Sequence, residues 1–394
     1  MKNNTPEIDF AFLLPRPEFL DFIEPIYEAL KATGQKCSLL RPEEISAYPG
    51  KEKNRGGNQP KVVVSTNEIP EISKFPNSKK VLLGHSLFMR DTTPTPPEMG
   101  AVHFMEFDYF FVPTPLYMGW TIRAILDENY FSPNSATSSV AKVIIPGGYV
   151  KKLPFEKNKI QARKGKKNIL YVPSVFTPEA AGHKFHLDGE KIISTLSRAF
   201  PEINIICRPH PTDRTRNYVE ELVKMYESVP NVIFDLSPTP ATSLYADPDI
   251  VITDMSGFAF VHQLVTRQRP IFLVSPDEAN NNKRFMALVE KYGNKAGTMD
   301  ELTQVIHKKL SEKEEMSKND ILAFDSIFKN PLNNVAPLQA DLIRIKDGIV
   351  AEHWIHLPRS FVRIEAKSIS NKIMPEKSLL FRAQKKIKHL LKKM

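Results

Sequence analysis

The sequence predicts an α/β protein of two successive units, each a parallel sheet covered by helices on both faces, with a cleft between them. Three observations carry this expectation. The chain has 394 residues, and two domains of roughly 150–200 residues are the default at that length. Short apolar, β-branched runs alternate with segments of helical periodicity. The alternation breaks at a charged, proline-containing stretch, "YVKKLPFEKNKIQARKGKKN" at 149–168, and then restarts.

In the first unit, placed at residues 1–150, "IDFAFLL" reads as a strand and "PEFLDFIEPIYEALKATG" as a helix that Gly34 stops. The runs "KCSLL", "KVVVST", "KKVLLGH", "DYFFVPT" and "KVIIPGG" supply further strands. The second unit, 151–330, opens on "ILYVPS" and adds strands at "INIICR", "NVIFDL", "DIVITD" and "PIFLV". Helical patterns at "GEKIISTLSRAF", "RNYVEELVKMYESV" and "AFVHQLVTRQ" separate several of them, and residues 300–330 are helical and highly charged. Residues 331–374 have no clear pattern; "GIVAEHWIHLPRSFVRI" holds strands or packs across the domains.

Composition excludes several classes. An apolar share of 41% and a charged share of 25% are those of a soluble globular protein. The amino-terminal apolar run is cut by Pro15 and is too short for a signal peptide or a membrane span. Cys37 and Cys207 lie far apart inside apolar runs, so no disulfide or metal spacing arises and a reducing cytoplasm is the expected setting. Residues 375–394 hold +6 of the formal net charge of +9. Basicity concentrated in one tail argues against a nucleic-acid-binding protein as a whole.

That tail, "PEKSLLFRAQKKIKHLLKKM", sets leucines and Ile387 at helical spacing against Lys385, Lys386, Lys388, Lys392 and Lys393. A basic amphipathic helix reads as an anchor on an anionic membrane surface. A helix docked on the protein itself, or a nucleic-acid-binding tail, would carry the same pattern.

Four loops follow predicted strands and should open on a common rim, where open α/β sheets bind ligands. They carry His85 in "LLGHSLF", Ser174 and Thr177 in "YVPSVFTPE", and Arg208 and His210 in "CRPHPTDR". The fourth, "VITDMSGFAF", carries Thr253, Asp254, Ser256 and Gly257. A serine and a glycine at a helix start leave backbone N–H groups for an anion, although an ordinary capped helix has the same residues. Arg208 offers a planar fork suited to phosphate oxygens and His210 can donate a proton; a turn with a surface ion pair is the alternative. His85 alone is a weak signal.

The stretch "TSLYADPDIVITDMSGFAFVHQLVTRQRPIFLVSPDE", together with "RPHP", resembles the CDP-glycerol glycerophosphotransferases, the teichoic-acid and capsule polymerases. The segments "VIIPGGYVKK" and "NILYVPSVFTPE" resemble that family's sequences around the interdomain crossing, and "GHSLF" stands where the family has Trp-His-Gly. The resemblance covers roughly 80–310. Ser86 replaces that glycine, Val150 a usual proline, and Gly257 a second serine.

The resemblance implies a GT-B architecture, two Rossmann-like domains across a cleft. It implies transfer of a polyol phosphate from a CDP-linked donor to an acceptor hydroxyl of a glycan or lipid-linked polymer, releasing CMP. His85 is then the expected base, and Arg208 and His210 the groups on the diphosphate. Ser174, Thr177, Thr253, Asp254, Ser256 and Gly257 shape the donor pocket. No acidic cluster resembles a metal site, so no cofactor is expected, with magnesium entering only on nucleotide phosphates. The setting implied is the cytoplasmic face of the plasma membrane. A GT-B glycosyltransferase using a CMP- or UDP-sugar, and a non-catalytic membrane- or nucleic-acid-binding module, are the competing readings.

Overall fold

The structure, a computed structural model, describes residues 7–48, 59–87, 103–131, 142–147, 150–151, 166–174, 185–237, 248–312, 316–328 and 335–357. In the first domain the elements run β1 (Phe10–Leu13), α1 (Leu20–Ala32), β2 (Cys37–Leu40), α2 (Pro42–Ala47), β3 (Val62–Ser65) and β4 (Lys79–Leu83). They continue with β5 (Tyr109–Val112), α3 (Pro115–Phe131) and β6 (Lys142–Pro146).

The second domain begins with β7 (Asn168–Val172), α4 (Phe185–Ala199), β8 (Asn204–Cys207), α5 (Asn217–Tyr226) and β9 (Val232–Phe234). Then follow β10 (Ile250–Thr253), α6 (Phe258–Thr266), β11 (Ile271–Leu273), α7 (Pro276–Asn281) and α8 (Lys283–Tyr292). It ends with β12 (Asn294–Ala296), α9 (Met299–Ser311) and α10 (Lys318–Phe328); α11 (Val335–Asp347) and β13 (Ile355–Leu357) come last.

The strands form two sheets, of order β13-β6-β5-β4-β3-β1-β2 and β12-β11-β10-β7-β8-β9. Both faces of each are covered, which is why the strands read as unbroken apolar runs. In β1, Phe10 and Phe12 enter one apolar cluster with Ile23, Ile26 and Leu30 of α1, while Ala11 and Leu13 enter another with Phe107, Phe110 and Tyr117. In the second sheet, Ile250 and Ile252 of β10 pack with Ile193 and Leu196 of α4, and Val251 turns to the opposite face.

Each sheet reverses its direction of growth once, between β1 and β3 in the first and between β7 and β10 in the second. At such a point the flanking connections leave to opposite faces and open a crevice beyond the strand ends.

The segment without a clear sequence pattern returns to the first domain. Helix α11 packs on α1, Gln339 Nε2 donates to the Ala29 carbonyl at 2.7 Å and Lys79 Nζ to the Ile345 carbonyl at 2.5 Å. Trp354 is buried, with Nε1 donating to Asp341 at 3.2 Å. β13 then pairs antiparallel with β6. β13 adds one antiparallel edge strand to an otherwise parallel sheet. α11 and Trp354 fix where the chain comes back, and a short connection from α11 delivers an antiparallel strand without a parallel crossover.

Candidate functional site

Loops from both sheets enclose a cavity of about 240 Å³ between the domains. His85, Ser86 and Lys151 line it from the first domain; Arg208, His210, Ser256 and Gly257 line it from the second. The structure thus brings together the histidines, the arginine and the helix start singled out by sequence.

His85 stands two residues beyond β4. Between them lies Gly84, where a Cβ would come 2.6 Å from Pro113 Cδ and 2.9 Å from the Phe111 carbonyl. Only a residue without a side chain lets the loop pass that close to β5. The imidazole Nδ1 lies 2.8 Å from the Thr66 carbonyl beyond β3. A carbonyl can only accept, so Nδ1 carries the proton and Nε2 keeps its lone pair.

Phe19 and Phe22 meet the His85 ring edge-on, with centroids 5.2 and 6.2 Å away. Burial lowers the His85 pKa and so does the Lys151 charge, against the Thr66 bond, which raises it. A neutral imidazole with a bare Nε2 is the form a general base needs.

His210 is held in the other tautomer. The Thr212 N–H donates to its Nδ1 at 3.3 Å, which places the ring proton on Nε2. Burial, then the charges of Arg214, Arg16 and His85, push its pKa down to about 4, against Asp254. At neutral pH it is an uncharged N–H donor among cations, and an arriving anion would raise its proton affinity.

Arg208 is buried at the end of β8, paired with Asp235 and donating to the Ser237 hydroxyl at 3.2 Å. Burial acts to raise the Asp235 carboxyl, but Ser237 and Arg208 outweigh it and hold its pKa below the usual range. The guanidinium therefore reaches the cavity already braced by a carboxylate.

The other second-domain residues singled out by sequence divide by position. The Asp254 carboxylate accepts the Ser174 N–H at 3.0 Å as well as the Ser174 hydroxyl. Thr253 is fully buried and donates its hydroxyl to the Val172 carbonyl at 2.5 Å. Both pairs bridge the ends of β7 and β10 across the sheet's switch point. Ser256 and Gly257 lie on the cavity wall ahead of α6, with the Ser256 hydroxyl 3.3 Å from the Phe258 N–H. Thr177, Lys385, Lys386, Lys388, Lys392 and Lys393 lie outside the described residues.

Sequence reasoning passed over a fifth loop, the one after β1. Arg16 there reaches across the cleft to the Thr212 hydroxyl at 3.4 Å, and Glu18 and Phe19 line the cavity. Arg214, in the same "CRPHPTDR" stretch, also lines the cavity and donates to the Ser237 carbonyl at 2.6 Å. Lys151 sits over the Phe22 ring, 4.8 Å from its centroid. Among the described residues no group of three His, Cys, Asp or Glu side chains could hold a metal ion. No helix among them is long and apolar enough to cross a membrane.

Residues 152–330 match the family described as CDP-glycerol:poly(glycerophosphate) glycerophosphotransferase. Solved structures extend the likeness over both domains. A variant of the wall teichoic acid polymerase TagF soaked with CDPG is 14% identical with a TM-score of 0.51, over 86% of this chain and 88% of that one. The S. aureus MnaA–UDP structure is 14% identical with a TM-score of 0.53, over 88% and 98%. A UDP-N-acetylglucosamine 2-epimerase described as putative, from Listeria monocytogenes, is 10% identical with a TM-score of 0.53, over 87% and 97%. No curated protein matches the sequence. The chain thus has two α/β domains of the GT-B type closing on a shared cavity, and its second domain matches the model of the CDP-glycerol:poly(glycerophosphate) glycerophosphotransferases.

Proposed function

We propose that the chain transfers a polyol phosphate from a CDP-activated donor to a hydroxyl of a glycan or lipid-linked acceptor. The observation that carries this reading is the meeting of His85 with Arg208, His210 and Ser256 around one interdomain cavity. His85 Nε2 takes the proton of the acceptor hydroxyl. The oxygen attacks the phosphorus that bears the polyol, and the bridging P–O bond to the CMP phosphate breaks.

Charge then grows on the departing CMP oxygen. Arg208, the Nε2–H of His210 and the positive end of the α6 dipole beside Ser256 and Gly257 are fixed groups that stabilise it. Charge neutralisation rests on these groups, so the scheme needs no resident metal. Asp254 and Thr253 act as positioning residues, holding Ser174 and the two strand ends in register.

The experiment is a donor panel. With purified protein and a polyol-phosphate acceptor, CDP-glycerol or a related CDP-polyol is expected to release CMP and form a phosphodiester. Turnover with CMP- or UDP-sugars alone, giving glycosidic links, would assign the cleft to a glycosyltransferase.

The basic tail fits an enzyme working on a lipid-linked polymer. We place it on the cytoplasmic membrane surface, each lysine contributing about 1 kcal/mol near anionic lipid. Deleting residues 375–394 is expected to abolish co-sedimentation with vesicles containing phosphatidylglycerol and leave CMP release from a soluble acceptor intact. Unchanged sedimentation would remove the membrane role.

A further inference from the structure

Glu18 has no part in the chemistry described above, yet it lines the same cavity. The next residue, Phe19, packs edge-on against the His85 ring, so Glu18 stands beside the base on the first-domain wall. Its Oε2 is buried and has no hydrogen-bond partner. Arg214 lines the cavity from the second domain, and its Nε is likewise buried without a partner. The charge of Glu18 is felt at Arg214 across the cleft.

A buried carboxylate oxygen demands an O–H or N–H donor, and a buried guanidinium N–H demands an acceptor. Water could meet either demand alone. A ligand meeting both, beside a base suited to a hydroxyl, carries hydroxyl groups at one end and an anionic oxygen at the other. Polyol phosphates have this form.

We propose that Glu18 and Arg214 form an acceptor subsite for a polyol phosphate: Glu18 accepts a hydrogen bond from the hydroxyl neighbouring the one that His85 deprotonates, and Arg214 holds the phosphate. The inference rests on the reading of His85 as the base and assigns two residues to the acceptor side of that site. It also gives a reason for the loop after β1 to face the "RPHPTDR" loop, since the two carry the two halves of the subsite.

The test is binding of glycerol 3-phosphate to the full-length, CMP-loaded protein, compared with 1,3-propanediol monophosphate, which lacks the secondary hydroxyl. A hydrogen bond to a charged group predicts that the wild type favours glycerol 3-phosphate by about tenfold or more. Glu18→Ala is expected to erase that preference and Glu18→Gln to reduce it. Arg214→Gln should weaken both probes alike.

Thermal unfolding checks that each variant is folded, and the isosteric Gln variant decides the matter if the Ala variant is not. A preference that persists without the carboxylate overturns the subsite. So does a loss of affinity for CDP-glycerol rather than for the acceptor probe, which would put Glu18 on the donor. Because binding is measured, absence of CMP release alongside Glu18-dependent binding would sink the catalytic reading and leave the subsite standing.

Discussion

His85→Ala is expected to lower turnover by about 10²–10⁴, the usual contribution of a positioned base, with nucleotide affinity unchanged. His85→Asn is the matched control, because its amide can still donate to the Thr66 carbonyl while offering no basic nitrogen. Near-normal CMP release in both variants would remove His85 from the chemistry. The pH dependence gives a second check. Burial and Lys151 hold the His85 pKa below the ordinary 6.5, so the imidazole is neutral at pH 7. Lowering pH inactivates the base only once the depressed pKa is reached, and His210 stays neutral down to about 4. The acid limb of kcat/KM, which reports the free enzyme, is therefore expected below pH 6.5; a limb above it would contradict the assignment.

Arg208→Ala is expected to act on stability and binding together. Arg208 is 4% exposed, and removing it leaves Asp235 with the Ser237 N–H and the nearby charge of Arg214. Because the Asp235 side chain keeps 19% exposure, breaking this pair costs less than the about 3–5 kcal/mol of a fully buried one, on the order of 5 °C in the melting temperature. Loss of a charge-assisted bond to phosphate should weaken CDP binding roughly tenfold to hundredfold. Asp235→Asn separates the two effects: it removes the carboxylate's charge beside the guanidinium and leaves the phosphate contact available. If Arg208→Ala melts earlier but binds CDP as well as wild type, the arginine is a structural strut. Fluorescence-monitored melting and calorimetric titration of CDP check both halves.

Much of the site could be read because its residues sit where strands must stop. Pro209 and Pro211 forbid continuation of β8, which leaves Arg208 and His210 at its carboxyl end, and the small residues before Phe258 mark the start of α6. Rim position alone did not reveal how each residue is used. Thr253 ends β10 and Asp254 and Ser256 follow it, but Thr253 and Asp254 link β10 to β7 while Ser256 and Gly257 face the cavity. One residue of register decides whether a hydroxyl meets a neighbouring strand or open space. Glu18 and Lys151 are not legible in the sequence, because Pro-Glu-Phe and Lys-Lys are ordinary loop and linker sequences. Their role depends on what stands opposite them.

The sequence by itself determined where strands and helices form, because apolar runs of strand length, helical periodicity and Pro or Gly stops are local properties of the chain. It also put His85, Arg208, His210 and Ser256 on strand ends. Tertiary structure alone decided strand order, and with it the two switch points that open the crevices. It brought the loop after β1 against the loop after β8, carried residues 335–357 back to the first sheet, and set the opposite tautomers of the two histidines. These features arise from contacts between residues far apart in the chain, and no local pattern encodes which distant carbonyl or carboxylate a side chain will meet.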